Sequence, residues 1–389
     1  MNHDRQKNTS SLQKSRAWIE LDIGRLRHNV EVIKSILPAN CELMPSVKAN
    51  AHGHGAVEIC RELNKIGVRA FCVASVMEGV ELRKHHIEGT ILIFGYTHPD
   101  QFSLLKRYSL AQTVVDLEYA EKLNAYAEKQ NTYGKRLTVH VKIDTGMNRL
   151  GERPENGDAI LKILSLKNLH AGGVYSHFSA QNSSDPAHKS FTKYQLEKFN
   201  RVLAMIEENG YSKPKTHLQG SFGVFSRPDL KCDYARPGMA IYGVYQNGNP
   251  DVCENKLLPV LSVKARIAAV KTINAGDAVG YELAFIASRG MKIATLSIGY
   301  ADGLPRAVSC GKGRVLVGGS FAPILGNICM DQTVIDVTGI DNVKQGDIAV
   351  IIGKDGKEEI SAYDIAAQAG TIPNEIVGRL GSRLERCKR

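Results

Sequence analysis

From Ala17 onward, short apolar runs alternate with stretches whose apolar residues recur at helical spacing. AWIELD alternates like a strand, and IGRLRHNVEVIKSIL behind it carries a helical apolar stripe. Eight further runs read as strands: LMPSVK (43–48), AFCVAS (70–75), ILIFG (91–95), QTVVD (112–116), LTVHVKID (137–144), GGVYSHF (172–178), THLQG (216–220) and a last run ending in GMAIYG (238–243). Most lead into amphipathic stretches such as AVEICRELNKIG or EYAEKLNAYAEKQ. Eight strands alternating with helices over about 230 residues predict an α/β fold, a parallel (β/α)8 barrel of the TIM type.

After Tyr242 the texture changes. QNGNPDVCEN (246–255) reads as a linker, and VLSVKARIAAVKTI, MKIATLSIG, GRVLVGG, APILGNICMDQTVIDVT and DIAVIIG follow between Gly, Asn and Asp turns. These predict a predominantly β C-terminal domain with one late helix, SAYDIAAQAG. Residues 1–15 are polar and bury almost nothing, which suits a flexible leader or linker. The expected division is therefore leader 1–15, barrel 16–245 and β domain 246–389.

With 43% hydrophobic and 23% charged positions, 389 residues can bury a sizeable core. No run of about 18 apolar residues and no signal segment is present, so the chain reads as soluble and cytoplasmic. Fifty Lys and Arg against 40 Asp and Glu give +10, yet the basic residues are scattered and no nucleic-acid signature accompanies them. The eight cysteines form no C-x-x-C pair and no zinc spacing, so they read as reduced thiols, and no metal site is expected.

In a barrel, chemistry sits at the C-terminal strand ends. Reading those ends in order gives Lys48 before a glycine-rich turn, then Lys142, Arg149 and His177. Gly220-Ser221 and Arg236-Pro237-Gly238-Met239 close the series. Backbone N–H groups after the last two strands are the usual barrel device for a phosphate. A lysine facing them suggests a Schiff base to pyridoxal 5'-phosphate, with an arginine to pair with the pyridine nitrogen.

VKANAHGHG resembles the lysine signature V-K-A-N-A-Y-G-H-G of fold-type III alanine racemases. VKIDTGMNRLG, YSHF, ARPGMAIYG, VGYELAF, SIGYADGLPR and GNICMDQ match that family in order. The resemblance implies a pyridoxal-phosphate-dependent amino-acid racemase. Lys48 would carry the cofactor and act as one acid–base group, and Tyr281 would be the second, on the opposite face of the substrate Cα. In the family that tyrosine reaches in from the partner subunit, which implies a head-to-tail homodimer with Tyr300 lining the shared entrance. Arg236 would pair with the pyridine nitrogen, and His177 and Arg306 would extend the network bearing on Arg236 and Tyr281. Arg149 would contact the cofactor phenolic oxygen and the substrate carboxylate, oriented by Lys142, a position often carbamylated in the family. Ser221, Gly238 and Met239 would hold the phosphate, and the Met330 N–H would meet the substrate carboxylate. A tyrosine serving as a base needs cationic neighbours, for which Arg306, Arg236 and His177 are the candidates.

Two positions depart from that pattern. His52 and Asn374 stand where the family has tyrosines that help hold the phosphate, the second also walling the substrate methyl. An amide in place of a phenol leaves room and a hydrogen-bonding partner for a hydroxymethyl group. L-serine is therefore an expected substrate, with L-alanine retained. The pattern is similar to the racemase domain of the membrane-bound serine racemases associated with vancomycin resistance, which supply D-amino acid for peptidoglycan precursors. Arg5, Lys7, Lys14 and Arg16 against Asp4 suit a juxtamembrane segment after a membrane domain, and equally an ordinary N-terminus. The alternatives are an ordinary alanine racemase, a decarboxylase of the same architecture, or a non-catalytic pyridoxal-phosphate carrier. The decarboxylases typically use a cysteine where Tyr281 stands, and the β domain argues against a carrier. His217 is expected to support its loop, Cys329 to pack, and His54 to serve either as a structural partner or a functional group.

Overall fold

The computed structural model describes residues 15–130, 136–180, 185–244 and 257–389. Strand β1 (Ala17–Leu21) buries Ala17, Trp18, Ile19 and Leu21. It leads into helix α1 (Ile23–Ile36), where the Asp22 carboxylate caps the start by accepting from the Arg25 N–H. Strands β2 (Glu42–Leu43), β3 (Ala70–Val73), β4 (Thr90–Ile93), β5 (Ala111–Val114), β6 (Leu137–Lys142), β7 (Leu169–Tyr175), β8 (Lys215–His217) and β9 (Tyr234–Ala235) form one parallel sheet in the order 2-9-8-7-6-5-4-3. A parallel bridge between Ser46 and Cys72 closes the ring, with the Val47 N–H 2.8 Å from the Cys72 carbonyl. This is the (β/α)8 barrel. Its helices are α2 (Ala56–Lys65), α3 (Val76–Lys84), α4 (Phe102–Arg107), α5 (Leu117–Lys129), α6 (Gly157–Ser165), α7 (Pro186–Glu208) and the short α8 (Ser221–Ser226).

The last barrel strand differs from its expected place. β9 ends at Ala235, and Met239–Tyr242 is a 3-10 turn. Pro237 has no N–H to continue a ladder. All four turn residues are buried, and a short buried apolar run has the same pattern as a strand.

The second sheet contains β10 (Leu261–Ile273), β11 (Met291–Leu296), β12 (Arg314–Val317), β13 (Ser320–Leu325), β14 (Thr333–Asp336), β15 (Ile348–Asp355), β16 (Glu358–Ile360) and β17 (Glu385–Lys388). APILGNICMDQTVIDVT thus folds as two strands around a turn. β1 pairs antiparallel with β10 and parallel with β17, so residues 17–21, counted above with the barrel segment, lie in this nine-stranded sheet. Two late helices form, the expected α9 (Ala362–Ala369) and α10 (Pro373–Gly378), which is too short to show helical periodicity.

Arg16 forms an ion pair with the buried Asp302 at 2.6 Å, so it is part of the fold rather than a linker charge. Residues 1–14, with Arg5, Lys7 and Lys14, and the linker QNGNPDVCEN lie outside the described residues. Among the described residues no helix is long and apolar enough to cross a membrane.

Candidate active site

A cavity of about 330 Å³ opens at the C-terminal strand ends, and Lys48, Arg149 and Arg236 all face it. The chain after Lys48 is unusual. Ala49, Asn50, Ala51 and His52 take φ values of 51°, 53°, 54° and 49°, a left-handed turn of four L-residues. Such a turn costs roughly 1–2 kcal/mol per residue and needs outside support. The Glu78 carboxylate, at the start of α3, accepts from the Ala49 N–H at 2.8 Å and the Ala74 N–H at 2.6 Å. Asn50 Oδ1 accepts from the Ala56 N–H at 2.7 Å, and Arg386 on β17 donates twice to the Gly53 carbonyl, at 3.0 and 3.2 Å. A Cβ on Gly53 would lie 1.9 Å from the Val377 carbonyl oxygen, so glycine is required there. Burial, and then Arg149, hold the Lys48 amine below its ordinary range, with Glu78 opposing them.

Strand β6 alternates, so His140 and Lys142 share its inward face. Lys142 Nζ donates to the Ile143 carbonyl at 2.7 Å. Burial, then Arg236, bring this amine down to about 7, with Arg149 adding to them and Asp144 opposing. Arg236 lies behind it, fully within the protein. Its Nη1 is 2.7 Å from His217 Nδ1, and its Nη2 donates to the Ser176 carbonyl at 2.8 Å and reaches His177 Nδ1 at 3.3 Å. His217 stacks on Tyr175 at 4.5 Å and 10°. His177 is held well below its usual range by burial and by Arg236, so it is a neutral partner and not the cation expected of it. His217 is also neutral, supporting Arg236 rather than only its own loop.

Across the cavity, Ser221 opens α8, and its Oγ accepts from the Gly238 N–H at 2.9 Å and the Ala240 N–H at 3.3 Å. Met239, Gly238 and Ser221 line the cavity beside His52 and Asn374. His52 is brought down to about 4 by burial and then Lys48, and is neutral. His54 is a structural partner: its ring stacks on Tyr242 at 4.2 Å and its Nδ1 lies 3.0 Å from the His52 carbonyl. Six buried side-chain polar atoms in the described residues lack a partner, and three of them, Ser46 Oγ, His52 Nδ1 and Asn374 Oδ1, belong to residues lining this one cavity.

Four expected site residues lie elsewhere. Tyr281 is 69% exposed, Met330 53% and Tyr300 43%, and none of them lines the cavity of its own chain. Arg306 faces Glu282 at 3.6 Å rather than Arg236. Asn327 Nδ2 steadies the Tyr281 turn, donating to the Tyr281 carbonyl at 3.3 Å and to Glu282 at 3.0 Å. The Cys329 thiol lies 3.7 Å from the Asn327 carbonyl, a packing contact. Sequence reasoning missed Ser46, Glu78, His140 and Tyr175. The alternation of LTVHVK could have found His140, two residues from Lys142 on the same face.

Residues 21–246 match the family described as alanine racemase, N-terminal domain, and residues 260–388 match alanine racemase, C-terminal domain. The chain belongs to the alanine racemase family. It is 41% identical over 375 residues to an amino-acid racemase of Enterococcus faecalis, covering 96% of this chain and 52% of that protein. The chain thus spans about half the length of that relative. It is 38% identical to an alanine racemase of Carboxydothermus hydrogenoformans, covering 95% of this chain and 98% of that one. An alanine racemase structure from Clostridium difficile superposes with a TM-score of 0.89 at 31% identity, covering 97% and 96% of the two chains. One from Bartonella henselae, with covalently bound pyridoxal phosphate, gives a TM-score of 0.82 at 30% identity, covering 96% of this chain and 100% of that one.

Alanine racemases are pyridoxal-phosphate-dependent, and the residues present fit that cofactor. The cavity has a lysine amine of lowered basicity, a buried guanidinium and unpaired polar atoms near a glycine-bearing turn. A Cβ on Gly220 would come within 2.8 Å of His177 Cε1, so a larger residue there would displace the His177 ring beside Arg236.

Proposed function

We propose that the chain is a pyridoxal-phosphate-dependent racemase interconverting L- and D-serine, and L- and D-alanine, by a two-base mechanism. The observation that carries the serine reading is Asn374, whose Oδ1 is buried, unpaired and at the wall of the lysine cavity. A serine hydroxyl can donate to that oxygen, which alanine cannot do.

Pyridoxal phosphate, when bound, supplies the conjugated system that stabilises charge developing at the substrate Cα. Lys48 would hold it and, with its basicity lowered by burial and then by Arg149, take or return a proton at Nζ. Arg236 stays a cation among neutral histidines, so it would donate a hydrogen bond to the cofactor's pyridine nitrogen without giving up a proton. Arg149 would take the cofactor's phenolic oxygen and the substrate carboxylate. Lys142, an amine whose basicity is lowered among arginines, would take up CO2 from its unprotonated form, releasing a proton, as a carbamate that orients Arg149. Ser221, Gly238 and Met239 would hold the phosphate.

Tyr281 is the second base. Its exposure on its own chain, with Tyr300 and Met330 also exposed, supports a head-to-tail homodimer in which each β domain completes the partner's site. As part of a longer chain like the Enterococcus relative, the domain would act in the cytoplasm, supplying D-serine for peptidoglycan precursors in vancomycin resistance. The second reading is an ordinary alanine racemase, favoured by the relatives of matching length named alanine racemase.

Purified protein with pyridoxal phosphate and either L-serine or L-alanine, followed by chiral chromatography, tests both readings. Serine turnover equal to or above alanine turnover is expected. Alanine turnover alone would make this an alanine racemase, and turnover of neither would overturn the two-base assignment.

A further inference from the structure

Ser46 sits just beyond β2, in the bridge that closes the barrel. Its backbone is fully engaged: the N–H donates to the Pro237 carbonyl at 2.8 Å, and its carbonyl accepts from the Tyr242 hydroxyl at 3.3 Å. Its hydroxyl has no partner, although the residue is only 8% exposed. A buried hydroxyl left unpaired is destabilising, and in native proteins such groups usually have a ligand or a water to meet.

The same corner holds a second such group. His52 is 9% exposed, its Nδ1 is unpaired, and its Cε1–Nε2 edge faces Gly238. A Cβ built on Gly238 would lie 3.4 Å from His52 Cε1, 3.7 Å from His52 Nε2 and 3.6 Å from Ser46 Cβ. Glycine at 238 therefore keeps open a space that both side chains border. The Gly238 N–H itself points to Ser221 Oγ. Two unpaired, buried polar side chains facing a bare glycine make a corner suited to an anion with several acceptor oxygens.

We infer that Ser46 and His52 are donors to the phosphoryl group of the cofactor, Ser46 through its hydroxyl and His52 through a ring N–H. Neither needs to be charged for this. The hydroxyl and the neutral imidazole each carry one proton to donate, and phosphoryl oxygens only accept. The inference rests on the reading that pyridoxal phosphate fills the cavity.

The test uses the full chain, stripped of cofactor with hydroxylamine, and compares the affinities for pyridoxal 5'-phosphate and for pyridoxal, which lacks the phosphoryl group. Absorbance titration gives both dissociation constants for wild type, Ser46→Ala and His52→Ala, and thermal unfolding checks that each variant is folded. Each substitution is expected to weaken pyridoxal phosphate about tenfold while leaving pyridoxal unchanged. Inorganic phosphate should compete with pyridoxal phosphate less well in the variants. If both ligands weaken equally, or neither does, the two residues are structural and the inference is overturned. A wild-type chain that does not prefer pyridoxal phosphate over pyridoxal would overturn the cofactor reading as well, so the two failures are distinguishable.

Discussion

Arg236 Nη1 stands 2.7 Å from His217 Nδ1, and this contact sets the proton positions of a buried chain of rings. A guanidinium only donates, so His217 Nδ1 must accept. The proton of neutral His217 is then on Nε2, which lies 2.7 Å from His140 Nδ1 and donates to it. His140, brought down to about 3 by burial and then Arg236, is neutral and keeps its own proton on Nε2. The donors therefore point one way, from Arg236 through His217 to His140. Replacing His217 with Phe leaves the buried guanidinium without its ring partner and should cost about 1–3 kcal/mol of stability. Urea unfolding of wild type, His217→Phe, His140→Phe and the double variant forms a cycle. A coupling of about 0.5 kcal/mol or more is expected, and strictly additive losses would show that the rings do not act as a chain.

Lys142 should make stability depend on pH in a defined direction. Its amine falls from 10.5 to about 7 in the folded protein. Between those values the unfolded chain binds a proton at this site and the folded one does not. Folding stability therefore rises with pH across the window from 7 to 10.5 and is lost as pH falls toward 7, by at most about 1.4 kcal/mol per pH unit. In CO2-free buffer, the stability difference between wild type and Lys142→Met should move toward wild type as pH rises from 7 to 9. A difference that stays flat would mean the amine is not depressed. Added bicarbonate should raise wild-type stability near neutral pH if a carbamate forms, with no such gain in Lys142→Met.

Much of this site was legible because chemistry at barrel strand ends is carried by short strings. Lys48 is marked by its glycine-rich turn, and the cavity edge opposite it by Ser221 and Gly238. What stayed hidden was set by burial and by distance in space. Ser46, just beyond β2, reads as an ordinary position of its apolar run, and although alternation with Lys142 turns His140 inward, nothing in the string LTVHVK says that His140 meets His217 there. The charge of His177 depends on how many cations surround it once it is buried, and four of them lower it. Tyr281 is singled out by its motif, but nothing in the amino-acid sequence shows that it stands outside the cavity of its own chain. The displacement of β9 has a similar cause, since buried turns and buried strands are equally apolar.

Asn374 offers a direct test of substrate choice. Tyrosine at this position fills the space beside the side-chain pocket and removes the amide oxygen. Asn374→Tyr should shift the ratio of kcat/KM for L-serine over L-alanine toward alanine by about tenfold or more, the range a single polar contact commands. The substitution lies at the second residue of α10, where helix propensity is little affected. An unchanged or increased relative serine activity would remove Asn374 from substrate recognition.

The proposal that two chains share each site makes the sharpest prediction. If Tyr281 works on the partner's lysine, Lys48→Ala and Tyr281→Phe chains are each inactive alone, because every site in either homodimer lacks one base. Mixed and allowed to exchange, about half of the dimers become heterodimers. In each of these, the chain bearing Lys48 receives Tyr281 from the Lys48→Ala chain, and one of the two sites is complete. Activity should return to about a quarter of wild type at equal total protein. The recovered activity should follow subunit exchange in time and disappear when exchange is blocked by cross-linking beforehand. No recovery after demonstrated exchange would place Tyr281 in its own chain's reaction, which its 69% exposure outside the cavity argues against.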